Sequence, residues 1–208
     1  MTNKNTLTLT HRSCFSRAMR FSLASIALAF LQSTSAIANV EKLAIQCEQK
    51  ICFKWWPRLP ANEGWEQDRG NSIHYSFNAL APIGKSFGNA ETVMYAKAVF
   101  RPRVPDDKTL EQFINGDKKK FISSAKDIKI QDAQSLKTAN GKSTKSFLFS
   151  PVSSGQWERV SYFEEGEYYM VFVISSRTET ALQAAMTAYE SLVTRYSAYF
   201  CFLTWSLS

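Results

Sequence analysis

Histidine is the scarcest chemically useful residue in this chain, with two among 208 residues. His11 lies within residues 1–38, which have the pattern of an export signal, so His74 is the sole histidine of the 170 residues that follow. This scarcity argues strongly against a metal site built on several histidines, as many zinc and copper sites are.

Net positive charge is also scarce once residues 1–38 are set aside. The whole chain has 25 basic and 18 acidic residues. Four of the basic residues and none of the acidic ones lie in that first segment, which leaves 21 against 18; the four are Lys4, Arg12, Arg17 and Arg20. A net charge of +3 over 170 residues is not the basic footprint of a nucleic-acid-binding protein, so we expect no nucleic-acid partner.

The chain lacks the run of about 20 apolar residues that a membrane-spanning helix needs. Residues 21–31 form a shorter apolar segment after a basic stretch, and Ala36 and Ala38 mark a small-residue cleavage site, as in secretory signal peptides. We therefore predict cleavage after Ala38 and a soluble mature protein in the periplasm or outside the cell. An uncleaved anchor is the alternative, and Met19 is an alternative start to Met1.

Four cysteines are too few for a disulfide-rich scaffold, and Cys14 leaves with the signal. Cys47 and Cys52 lie between two apolar stretches that are typical of adjoining strands, so we predict a disulfide across a β-hairpin. Four residues separate them, whereas redox motifs have two, and no third ligand makes a zinc site. The sequence leaves the state of Cys201 open.

Hydrophobic patterning predicts an α+β fold. Apolar stretches recur in the order of four strands, a helix, four or five strands and a final helix, and the short links between strands favour antiparallel pairing. We predict one antiparallel β-sheet with two main helices packed on it, an α/β/α sandwich formed by residues 39–197. An apolar tail follows at residues 198–208.

Several elements of this fold are located by individual residues. Alternation over residues 72–80 predicts a half-buried strand with His74 and Ser76 on its polar face. The other predicted features are a capping box at Thr109 and Gln112, a strand at residues 135–139, a hairpin turn at Asn140 and Gly141, and a last helix that begins near Ser176.

This layout resembles the PsbP-like fold, which photosystem extrinsic proteins share with DcrB-like bacterial envelope proteins. The resemblance covers most of residues 40–197 and is topological. It rests on the proline-broken segment 57–65, the Thr109 helix, the Asn140-Gly141 turn, and the strand and helix of residues 168–196. It implies a non-catalytic binding or assembly protein, and it supplies no catalytic residues to transfer to this chain.

Tryptophans are the most conspicuous candidates for a binding site. Trp55, Trp56 and Trp65 flank a proline-broken loop, and Trp157 begins a later strand. Aromatic residues on strands are usually core, but together these could line a groove for a peptide, glycan or lipid, with His74 on its rim.

Two further groups of residues were considered as sites. Glu164, Glu165 and Glu167 lie on a predicted hairpin tip, where solvated carboxylates are the simpler interpretation than paired acid–base catalysts. Three consecutive lysines in the first helix could contact an anionic membrane surface weakly, although a solvated helix face also explains them; these are Lys118, Lys119 and Lys120.

Taken together, these features favour an exported, non-enzymatic binding or assembly module of the bacterial envelope that needs no cofactor and no metal. An unknown envelope protein, peptide, glycan or lipid is the expected partner. The alternative is a hydrolase of an envelope polymer that uses His74 or the three glutamates, Glu164, Glu165 and Glu167, as its acid–base groups.

Overall fold

The computed structural model describes residues 39–124, 127–152 and 155–198. The predicted export signal, its cleavage site and Cys14 lie outside these residues. So do Cys201 and the tail from residue 199 onward.

A seven-stranded antiparallel sheet forms the centre of the molecule, and a separate two-stranded hairpin, β1–β2, packs beside it. The strand order of the large sheet is β3-β4-β5-β9-β8-β7-β6, and every neighbouring pair in this order is antiparallel. All neighbours are also consecutive in the chain except β5 and β9, which pair over nine residues. The strands are β1 Val40–Cys47, β2 Lys50–Pro57, β3 Trp65–Gln67, β4 Asn78–Pro82, β5 Thr92–Phe100, β6 Ile128–Ala133, β7 Lys145–Pro151, β8 Trp157–Glu165 and β9 Tyr168–Ser176.

Three helices, α1 Arg69–Tyr75, α2 Leu110–Ser124 and α3 Glu179–Arg195, accompany the sheet. Phe113 on α2 packs against one face, and Leu182 on α3 packs against the other. The predicted α+β class, with two main helices on an antiparallel sheet, is therefore confirmed, because β5, β9 and β8 carry apolar residues on both faces.

Side-chain caps fix where the two long helices begin. At α2, Gln112 donates its backbone N–H to the Thr109 hydroxyl at 3.2 Å and accepts from the Thr109 N–H at 3.2 Å. This reciprocal pair is the predicted capping box. At α3 the cap is Thr178, whose hydroxyl accepts from the Ala181 N–H, so the prediction of a start near Ser176 is wrong by two residues. The Ser176 hydroxyl instead bonds Thr92 across the sheet at 2.8 Å.

The prediction of a strand over residues 72–80 is also wrong. Asp68 caps a short helix, α1, by accepting from the Asn71 N–H, and Ser76 ends it in a left-handed conformation. The strand β4 begins only at Asn78. The alternating segment is short, so a two-turn helix fits it as well as a strand does. The Asp68 cap favours the helix.

The predicted turn at Asn140 and Gly141 is present, with Gly141 at a φ of +83°. The strand predicted before it, at residues 135–139, is absent: Lys137 forms only an isolated bridge with Ser143. Thr138 explains this, since its hydroxyl bonds the Asn140 side chain and the Lys142 N–H and so holds a local loop in place of a ladder.

Within the described residues, no helix is both long enough and apolar enough to cross a membrane.

Candidate functional site

The four tryptophans predicted to line a groove do not share one. Trp56 is fully buried and donates its indole N–H to Glu41, while Trp55 stacks on Phe100 at 5.3 Å between ring centroids. Trp65 and Trp157 are half-buried at the margin of the core beneath α3. Their positions are those of structural aromatics, so the tryptophan groove is not formed.

His74 lies on α1, exposed, with its ring edge-on to Tyr75 at 4.6 Å. No hydrogen bond joins it to a serine or a carboxylate among the described residues. It lines a shallow hollow against the β1–β2 hairpin with Ser76 and Arg69. The arrangement lacks the partners that a histidine base requires.

The three glutamates of the β8–β9 hairpin also fail to converge. Glu165 is buried and accepts from the Asn140 amide at 2.8 Å, while Glu164 points to the opposite face and pairs with Arg101 at 3.6 Å. Because neighbouring strand residues alternate between faces, these carboxylates cannot act together on one bond.

The three lysines of α2 do not form one solvated stripe. The Lys118 ammonium lies 3.3 Å from the centroid of the Phe147 ring, where burial lowers its pKa. Lys119 and Lys120 are exposed. Two exposed charges on this helix make a smaller basic surface than the sequence indicated.

Cys47 and Cys52 are free thiols in the structure, on the same face of the β1–β2 hairpin. The Cys52 thiol is the leading cause that raises the pKa of the Cys47 thiol, through a hydrogen bond between the two side chains. The pair is therefore adjacent without being bonded.

The structure assembles a different site, on the face of the sheet that α2 leaves partly uncovered. Here a cleft of about 390 Å³ opens between α1, the loop after β4, and the strands β5, β8 and β9. We call it the Glu158 cleft. Its lining includes Tyr75, Phe77, Phe87, Tyr95, Glu158 and Ser175.

Four aromatic rings form one wall of the Glu158 cleft. Phe77 stacks on Tyr95 with 4.4 Å between centroids and on Tyr75 at 5.5 Å, and Phe87 lies 5.3 Å from Phe77. Asp68 positions both ends of this wall, since it caps α1 and accepts the Phe87 N–H at 2.9 Å. These hydrogen bonds lower the pKa of Asp68, and the one from the Phe87 N–H is the largest cause.

Glu158 is the charged residue on the floor of the cleft. It is 8% exposed, and its Oε2 has no hydrogen-bond partner among the described residues. Burial raises its pKa to about 7, against the opposing effects of a hydrogen bond from Ser175 and the positive charge of Lys97. A buried carboxyl without a countercharge is costly to ionise, which is the physical cause of this pKa.

The cations near Glu158 are engaged elsewhere. Lys97 lies 4.0 Å from Asp117, and Asp117 also accepts a 2.8 Å hydrogen bond from the Tyr162 hydroxyl. Asp117 raises the pKa of Glu158 further. Glu91 and Arg177 lie at the mouth of the cleft. They carry opposite charges, and both are exposed.

Two carboxyl groups line the cleft, Glu158 on its floor and Glu91 at its mouth, and among the described residues its lining includes no histidine and no cysteine. Tyr95 stays protonated because burial raises its pKa well above the usual range, so its hydroxyl is a hydrogen-bond donor rather than a base. Among the described residues there is no cluster of three or more His, Cys, Asp or Glu that could hold a metal ion. The cleft therefore combines an aromatic wall with one buried carboxyl on its floor.

One pattern in the sequence indicates this site. Glu158 shares its strand face with Val160 and Tyr162, because every second residue of β8 points the same way. A carboxylate in an otherwise apolar row indicates a buried charge. The aromatic wall gave no such signal, since its rings come from α1, two loops and β5.

No family model matches the chain, and no curated protein matches it. Among solved structures it is similar to a protein of unknown function from Pseudomonas aeruginosa, with 6% sequence identity and a TM-score of 0.44. The alignment covers 76% of this chain and 98% of that one. A likeness this weak says nothing about what the Glu158 cleft binds.

The burial of Glu158 predicts a pH-dependent stability. The unfolded carboxyl ionises near pH 4.5, whereas the folded one keeps its proton until about pH 7. Between these pH values the unfolded chain releases the Glu158 proton more readily than the folded protein does, so rising pH lowers the unfolding free energy of the wild type. Glu158→Gln has no proton to release at this residue and does not lose this stability. We expect the unfolding free energy of Glu158→Gln relative to wild type to rise by about 2 kcal/mol from pH 5 to pH 8.

Urea denaturation at both pH values measures this difference. Glu91→Gln is the matched control, because it removes an exposed carboxylate at the mouth of the same cleft. It is expected to shift stability equally at both pH values. A Glu158→Gln difference that does not change with pH means that the carboxyl is solvated.

Proposed function

We propose that this chain is an exported, non-enzymatic binding protein of the bacterial envelope and that the Glu158 cleft is its ligand site. The observation that carries the proposal is the position of Glu158. A carboxyl that is 8% exposed and has an oxygen without a partner destabilises the fold when ionised, while it lines a cleft open to solvent. Such a residue is typical of a binding site that is completed by a ligand.

The size and lining of the cleft support a small ligand or a single side chain of a partner. A volume of about 390 Å³ lies in the range of small-molecule sites, and the aromatic wall offers apolar contact area with few polar groups to fix orientation. No observation favours the alternative of a hydrolase. The residues on which it depended, His74 and the glutamates of the β8–β9 hairpin, lie apart from one another and outside the cleft.

Membership of the PsbP-like group is part of the same proposal. An antiparallel sheet between two main helices, ending in a strand and a long helix, supports it. The group implies binding or assembly without catalysis, which agrees with a cleft that buries one carboxyl and whose lining, among the described residues, includes no histidine and no cysteine.

Export and the Cys47–Cys52 disulfide complete the proposal. The two thiols interact as diagonal neighbours on one face of the hairpin, so oxidation requires a local adjustment of the two strands at the turn. In an oxidising compartment such a pair closes readily. The disulfide would hold the free end of a two-stranded sheet that lacks the support of further strands.

The first prediction of this proposal concerns the aromatic wall. Tyr75→Ala removes an exposed ring from the cleft and should weaken binding of N-phenyl-1-naphthylamine, a neutral aromatic dye, by roughly three- to tenfold. Ile83→Ala is the control, because Ile83 is 67% exposed and lies outside the cleft. Dye fluorescence measures both affinities. Equal affinities for the two variants, or no saturable binding to the wild type, would exclude the cleft as the site.

The second prediction concerns export. Protein recovered from the envelope fraction should begin at Asn39 and should alkylate at Cys47 and Cys52 only after reduction, while Cys47→Ser leaves Cys52 open to alkylation. Intact-mass and peptide mass spectrometry measure both results. Recovery of the chain with residues 1–38 attached, or alkylation of both thiols without reduction, would contradict the export proposal.

A further inference from the structure

The electrostatic character of the Glu158 cleft indicates which ligands it selects. We infer that the cleft binds a primary amine, with the ammonium group against the Glu158 carboxylate and the apolar part of the ligand against the aromatic wall. This inference rests on the proposed function, in which the cleft is the ligand site, and adds the chemical class of the ligand.

The first argument is the missing countercharge. Glu158 forms no ion pair among the described residues, and its Oε2 accepts no hydrogen bond. Lys97, on strand β5 beyond β9, lies against Asp117 instead, at 4.0 Å. An ammonium group supplies both a positive charge and N–H donors, which are what a buried carboxylate requires.

The second argument is the wall beside the carboxyl. Tyr75, Phe77, Phe87 and Tyr95 present aromatic rings to the same cleft. The faces of aromatic rings carry partial negative charge and attract cations, and they disfavour anions in the same place. A carboxylate and several rings around one space therefore favour a positively charged ligand over a neutral or a negative one.

The third argument is the charge at the mouth. Glu91 and Arg177 both line it, and Arg177 donates to the Gly88 carbonyl at 3.5 Å. One exposed charge of each sign leaves the mouth nearly neutral, and exposed charges are well screened by salt. The charge of Glu158 on the floor therefore decides the sign of the ligand.

The same geometry makes amine binding depend on pH. The ammonium pairs with ionised Glu158, whose pKa of about 7 is set by burial, by Ser175 on the adjoining strand β9, by Lys97 on β5, and by Asp117 on α2. Tyr95 adds no charge, since it stays protonated. Affinity for an amine should therefore rise about 30-fold between pH 5.5 and pH 8, because the proton and the ammonium compete for one carboxylate.

The test uses three probes that share a phenyl group and differ in charge: 2-phenylethylamine, 2-phenylethanol and 3-phenylpropionate. Each is used to displace N-phenyl-1-naphthylamine from the full chain. At pH 8 the amine should compete about tenfold better than the alcohol, and the acid worst. Glu158→Gln should bind the dye but lose both the preference for the amine and its pH dependence.

Glu63→Gln is the matched control, because Glu63 is exposed and lies outside the cleft, and it should keep the preference and the pH dependence of the wild type. Glu91→Gln separately tests the mouth of the cleft. If the alcohol competes as well as the amine, the amine inference is overturned while the binding function stands. If the dye itself does not bind the wild type, the proposed function fails instead. If Glu91→Gln and Glu158→Gln lose the amine preference equally, the cation binds at the mouth and the inference is also overturned.

Discussion

The constraint on which this molecule depends is a carboxyl group inside a sheet face without a cation to neutralise it. Glu158 is directly opposite Ser175 on β9 and Phe149 on β7, so it is held in the middle of a three-strand row. The pairing on both sides fixes the backbone at this residue, so the side chain stays on the buried face of the sheet, at the floor of the cleft. Its proton affinity follows from this burial, and so does its capacity to bind a cation.

The rest of the fold maintains this environment. The helix α2 covers the sheet from Phe113 onward and places Asp117 against Lys97, which keeps that lysine from neutralising Glu158. Asp68 joins α1 to the loop after β4 and so holds the aromatic wall beside the carboxyl. The buried Glu158 carboxyl lowers the stability of the fold, and the packing around it compensates for this loss. Such a local loss of stability is usual where a protein binds a ligand.

Most of the fold could be predicted from the sequence, and most of the site could not. Hydrophobic periodicity and helix caps depend on residues that are close together in the sequence. The two predictions that rested on them, the α+β class and the Thr109 capping box, were confirmed. The strand over residues 72–80 was wrong because Asp68 caps a helix there. The tryptophans are conspicuous in sequence but structural in the fold, whereas the cleft joins rings from α1 and β5 that only tertiary contacts bring together.

The most direct measurement is an NMR titration of the Glu158 side-chain carboxyl carbon, assigned by comparison with Glu158→Gln. The account predicts a midpoint near pH 7 in the free protein and a lower midpoint when 2-phenylethylamine is present, because the ammonium stabilises the ionised form. A midpoint near 4.5 that the amine leaves unchanged would show a solvated carboxylate and would contradict the account.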